Sequence, residues 1–150
     1  MEVAENQAKS PRSWLPLAAV IVALVGLGDS IYLTAHHYTA EPVPCSIIEG
    51  CEMVLTSPWA EWWGIPLAAF GAASYFVAFA LALLTFFGNE RMWRLFGVIV
   101  VFMAAFTVWL LYVQGFLIGY FCQFCLLSAL STFTLLILWL ISIFRRRAAA

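Results

Sequence analysis

The chain has 150 residues, 65% of them hydrophobic and 10% charged, with a net charge of −1. Soluble domains carry about 25% charged residues, and a nucleic-acid surface needs clustered cations. Both classes are therefore set aside in favour of a small integral membrane protein, in keeping with a mean hydropathy of +0.97.

Residues 1–13 read as a polar tail carrying Lys9 and Arg12. Residues 14–35 form the first of four apolar runs, the others being 64–87, 93–114 and 120–144. Each is long enough to cross about 30 Å of hydrocarbon as a helix, which takes roughly 20 residues. Strands would alternate over about 10 residues, and no run does so. No small-x-small cleavage site follows the first run, where Leu33, Thr34 and Ala35 lead into His36, so it is expected to stay as a span. Asp29 is the only acidic residue inside a span. An intramembrane carboxylate points to function by default. Two readings stay open: a general acid supplying protons, or a protonated packing residue. Tyr32, three residues on, is the expected partner.

The connection 36–63 holds Glu41, Glu49, Glu52 and Glu61 against no Lys or Arg. Pro42 and Pro44 keep the approach to Cys45 extended, and Gly50 allows a turn before Cys51. Residues 52–63 predict a short surface helix, with Trp59, Trp62 and Trp63 as an interfacial belt. Pro66 suits the opening of the second span. Arg91 and Arg94 lie between the second and third spans, and Arg145, Arg146 and Arg147 open the tail 145–150. Every cation thus falls on one side, which the positive-inside rule makes cytoplasmic, termini included. The four cysteines fall on the other, oxidising side.

Four cysteines permit three pairings, and proximity favours Cys45 with Cys51 and Cys122 with Cys125. The first bridge is either a loop staple or a redox pair. Cys122 and Cys125 are expected in the first turns of the last helix. There, free N–H groups and the helix dipole favour thiolate while apolar surroundings oppose it. Cys122 is expected to be the more accessible, with Cys125 deeper. A bridge within one helical turn adds little stability, so the Cys-x-x-Cys reads as redox-active. A haem site lacks its His, since Leu126 follows Cys125. A metal site using the cysteines with His36 and His37 is the alternative function. Two dithiols on one face read as a relay by thiol–disulfide exchange, from a soluble protein to a lipid-soluble acceptor, a quinone.

The ordered set GDSIYLTAHHY, CSIIEGCEMVLTSPWAEWWGIPLAAFG and FCQFCLLSAL resembles the bacterial and archaeal branch of the vitamin K epoxide reductase family. DsbB-type oxidases place their Cys-x-x-Cys first, whereas here it comes last. The resemblance implies an all-α, four-helix transmembrane bundle around a quinone (menaquinone or ubiquinone), with a periplasmic loop and short helix between helices 1 and 2. It implies a multi-pass protein of the inner membrane that reoxidises a thioredoxin-like, DsbA-like partner. Cys45 then meets the partner, Cys51 attacks Cys122, and Cys125 reduces the quinone, with Leu55 and Ser57 capping the quinone end and no metal involved. Many bacterial relatives carry a fused thioredoxin-like domain; none follows here, so a separate periplasmic partner is expected. Animal members carry Tyr where Ala129 stands, which favours quinone reduction over epoxide reduction.

Overall fold

In hydrocarbon the backbone has no water to bond, so a spanning segment satisfies its own N–H and C=O groups as a helix. The computed structural model describes residues 14–149. The expected tail 1–13, with Lys9 and Arg12, lies outside the described residues, as does Ala150. Four long helices result, each long and apolar enough to cross a membrane. They are α1 (Trp14–Thr39), α3 (Leu67–Phe86), α4 (Glu90–Tyr112) and α5 (Gln123–Ala149). A short α2 (Cys51–Leu55) and a two-stranded hairpin, β1 (Glu61–Trp62) and β2 (Ile65–Pro66), lie between α1 and α3. The chain is an all-α membrane bundle.

The helices close a ring in which α1 and α4 each pack against both α3 and α5. Small residues make the close approaches possible, as expected where helices associate without a hydrophobic drive. A Cβ on Gly26 would collide with the Tyr75 ring, and one on Gly97 with the Trp139 indole. Phe96, Val100 and Leu135 fill the core between them with no exposure.

One end of the ring is knitted tightly. The Trp93 indole N–H donates to Ser142 Oγ at 2.6 Å, and that hydroxyl donates to the Trp139 carbonyl at 2.6 Å. Trp93 also stacks on Phe96, with ring centroids 4.6 Å apart. Arg146 pairs with Glu90 at 3.2 Å, and the Arg145 guanidinium lies 5.7 Å from the Trp14 ring. The arginines in the first turns of α4 and the last turns of α5 are thereby gathered at this end, opposite the cysteines.

At the other end the element bounds depart from the expected ones for local reasons. The first helix runs past residue 35 to Thr39, so His36 and His37 are helical. The surface helix stops at Leu55 instead of reaching residue 63. Pro58 lacks an N–H and disfavours helix at Ser57, and the hydroxyls of Thr56 and Ser57 turn back to the carbonyls of Glu52 and Val54. The hairpin follows, its two central residues Trp63 and Gly64 both at positive φ (51° and 77°). That geometry closes a two-residue loop with the right twist, and it delays the start of α3 to Leu67. Helix α4 continues as a π-turn over Val113–Ile118, closed by Gly119 (φ 77°), whose N–H donates to the Gln114 carbonyl at 2.9 Å. The last helix accordingly begins at Gln123 rather than at residue 120, and it runs beyond 144 to Ala149.

Candidate functional site

Cys45 and Cys51 form a disulfide, with their Cα atoms 6.2 Å apart. Cys45 is half-buried in the loop, whereas Cys51 opens α2 and is 1% exposed. Gly50 sets the position of α2. A Cβ there would lie 2.9 Å from the Phe121 carbonyl oxygen and 3.2 Å from Tyr120 Cβ. The glycine therefore lets the start of α2 rest directly on the segment preceding Cys122. The Ile47 N–H, donating to Gln123 Oε1 at 3.1 Å, ties the loop to the same place. As a result Cys51, Val54 and Cys122 form one buried cluster, with Cys45 and Cys125 packed against it.

Two expectations for the late pair are corrected. Cys122 and Cys125 are thiols, not a disulfide. Cys122 precedes the first residue of α5 and is packed with Cys51 and Val54, while Cys125, on the first turn, also borders a cavity. The accessibility order is also reversed: Cys122 has no exposed surface and Cys125 is half-buried. The reason is the packing of α2 over the helix start, which covers the cysteine nearer the end. The Cys122 carbonyl accepts the Leu126 N–H at 3.0 Å, and its own N–H donates to Gln114 Oε1 at 3.3 Å. A hydrogen bond from the Cys125 thiol is the main cause that brings the Cys122 thiol down to about 7; burial opposes it, and the backbone N–H groups of Cys125 and Phe124 assist.

The cavity beside Cys125 has a volume of about 780 Å³. Leu55, Ser57, Trp59 and Trp62 border it from the loop, Phe102, Phe106 and Leu110 from α4, and Cys125, Ala129 and Thr132 from α5. Asp29 and Tyr75 border it from α1 and α3. The structure thus brings Leu55, Ser57, Asp29 and Cys125 to one cavity, with Cys45, Cys51 and Cys122 adjoining through Cys125 and Leu55. Trp59 and Trp62 do more than mark an interface, since both face the cavity and Trp59 meets Trp109 edge-on at 6.1 Å.

Asp29 is buried, and among the described residues neither carboxyl oxygen has a hydrogen-bond partner. The expected pairing with Tyr32 is absent, because that ring turns outward onto His36 at 4.4 Å and Phe124 at 5.3 Å. The metal alternative also lacks a ligand set. No three His, Cys, Asp or Glu side chains gather as one among the described residues. His37 lies 3.5 Å from Glu61, and the His36 ring is 3.3 Å from the Glu41 carbonyl oxygen.

Two residues at the site escape sequence reasoning. Tyr75 is fully buried, its hydroxyl donating to the Ser128 carbonyl at 2.6 Å and meeting Thr132 Oγ1 at 2.8 Å. Gln114 is buried in the π-turn, holding Cys122 and facing the cavity. The only available signals were a lone Tyr in the second run and a lone amide closing the third. The chain matches the family model described as the vitamin K epoxide reductase family over residues 17–140. The protein accordingly belongs to that family, as a thiol/disulfide oxidoreductase of the membrane.

Proposed function

We propose that the protein oxidises the thiols of a thioredoxin-like, DsbA-like partner and delivers the electrons to a membrane quinone, supporting disulfide formation outside the cytoplasm. One observation carries this reading. Cys125 alone among the four cysteines borders the cavity, while it also packs against the cluster that holds Cys51 and Cys122. Cavities of about 300–1,000 Å³, mostly apolar with a few placed polar groups, are the usual ligand sites, and this one has that character. Its aromatic and aliphatic lining suits a quinone ring and tail, with Leu55 and Ser57 bordering it from the loop and Asp29 and Tyr75 as polar groups. When bound, a quinone accepts two electrons and two protons. Ala129 offers no hydroxyl at the cavity wall, in line with quinone reduction rather than epoxide chemistry.

The chain's own steps are thiol–disulfide exchanges through mixed disulfides. A partner thiolate attacks Cys45, and Cys51 leaves as thiolate. The partner's second thiol then attacks the partner sulfur bound to Cys45, so the partner leaves as a disulfide and Cys45 as thiolate. Cys51 attacks Cys122 of the oxidised inner pair and Cys125 leaves. Cys45 then attacks Cys51 and Cys122 leaves, so the loop disulfide is restored and the two electrons rest on Cys122 and Cys125. A thiolate-favouring setting at Cys122 suits a leaving group, since a lower pKa leaves faster. The cysteines face the outer side of the plasma membrane and the Arg-rich end faces the cytoplasm, as the distribution of cations implies.

The test is quinone reduction by the purified protein, with menaquinone and ubiquinone analogues and a reduced thioredoxin-like donor. Wild-type protein should turn over with one of the quinones, and Cys125→Ala should lose at least about 10³-fold of that rate, as removal of a covalent participant does. Turnover by Cys125→Ala at the wild-type rate would contradict the assignment.

A further inference from the structure

Among the described residues Asp29 is the one buried carboxyl; it is 8% exposed, borders the cavity, and has no hydrogen-bond partner on either oxygen. The groups facing it from neighbouring elements supply no cation. From α3 comes Tyr75, whose hydroxyl proton is committed to the Ser128 carbonyl. From α5 come Cys125 and Thr132, and from the end of α4 comes Gln114. Seven and eight residues along α1, His36 and His37 border the same cavity, about 11 Å away by helical rise, together with Glu41, Glu52 and Glu61 of the loop. A carboxylate so placed would be a buried charge with nothing to offset it. The neutral acid meets no such penalty, and it carries a proton beside the cavity that Cys125 shares.

We infer that Asp29 is a neutral carboxylic acid that carries protons within the cavity, from the Cys122 and Cys125 thiols to the oxygens of a bound quinone. The inference rests on the thiol-oxidase reading and deepens it. Closing the Cys122–Cys125 disulfide from two thiols breaks two S–H bonds and releases two electrons and two protons, which the two quinone carbonyl oxygens take up. Asp29 gives its proton to one of these oxygens and regains one from the Cys125 thiol, so it ends each cycle unchanged. The second oxygen takes the Cys122 proton or, where Cys122 is already thiolate, the equivalent proton back from water. The commitment of Tyr75 to Ser128 and Thr132 is what leaves the Asp29 proton free for this task.

The test uses full-length protein in lipid nanodiscs. Infrared difference spectra should contain the carbonyl stretch of a protonated carboxylic acid, absent in Asp29→Asn and present in Asp29→Glu. In single-turnover mixing of pre-reduced protein with a short-chain ubiquinone, Asp29→Asn should reoxidise about 100-fold more slowly, the low end of general-acid effects. The residual rate should fall as pH rises, because its protons now come from solvent. Asp29→Glu should recover part of the loss and keeps the test available if the Asn variant folds poorly. Exchange at Cys45–Cys51 is the internal control, since neither cysteine borders the cavity. A carboxylate signal from Asp29, or an Asp29→Asn rate and pH profile equal to wild type, would overturn the inference. Failure of wild-type protein to reduce any quinone would instead count against the thiol-oxidase reading itself.

Discussion

The two ends of the bundle solve opposite problems. At the Arg-rich end, Trp93 bonds to Ser142 and stacks on Phe96, Gly97 admits the Trp139 ring, and Arg146 meets Glu90. At the cysteine end the helices part around a cavity, α4 loosens into a π-turn, and a buried carboxyl is left without a partner. Irregular backbone inside a π-bulge is frequently a mark of function, and buried polar groups without partners persist only where the rest of the fold compensates. Close packing at one end thus permits an open, chemically active arrangement at the other.

Changes at the closed end should therefore affect stability, and changes at the open end electron transfer. Among changes in packing, the largest effect is expected from Gly97→Val. Its side chain would overlap the Trp139 indole, and overpacking of this kind costs about 1–3 kcal/mol. Thermal unfolding in detergent should show the loss, while the protein that remains folded keeps its thiol chemistry. Next comes Gly50→Ala, whose Cβ would meet the Phe121 carbonyl oxygen at 2.9 Å and push α2 off Cys122. Transfer between the cysteine pairs should slow by about 10-fold, since misplacement by about 1 Å is enough to cost that or more. Rapid-quench alkylation would follow it, and an unchanged rate with an unchanged melting temperature would erase the distinction between the two ends.

The smallest effect is a shift in titration. Because the Cys125 thiol holds Cys122 down to about 7, the Cys122 thiolate is already populated above that pH. In Cys45→Ala/Cys51→Ala protein the first rise of thiolate ultraviolet absorbance with pH should be centred there. In Cys45→Ala/Cys51→Ala/Cys125→Ala protein it should move up towards the ordinary thiol range of about 8.5. An identical pH dependence in the two proteins would remove the proposed link between the sulfurs.

Hydropathy made the global arrangement legible, because four apolar runs report directly on what lipid accepts. The loop disulfide was legible from proximity, whereas the expected bridge between Cys122 and Cys125 is absent. The interior of the site was not. Which face of α3 turns inward decides that Tyr75 is buried, and a uniformly apolar run such as 67–86 carries no amphipathic signal of its inner face. The reversed exposure of Cys122 and Cys125 comes from the loop packing at Gly50, a contact between residues some 70 positions apart. The expected Asp29–Tyr32 pair failed because spacing along a helix gives a shared side but not a partner; the Tyr32 ring found His36 and Phe124 instead. Likewise the early end of α2 and the hairpin depend on Pro58, Trp63 and Gly64 acting together, which a helical reading of 52–63 passes over.

In the proposed relay the loop pair and the membrane pair exchange bonds through Cys51 and Cys122. The double variant Cys45→Ala/Cys125→Ala leaves only those two cysteines, so mild oxidation followed by peptide mapping tests the claim directly. Nearly complete conversion to a Cys51–Cys122 disulfide within the folded monomer is the predicted result. Recovery of both cysteines as separately alkylated thiols from protein that retains its fold would contradict it.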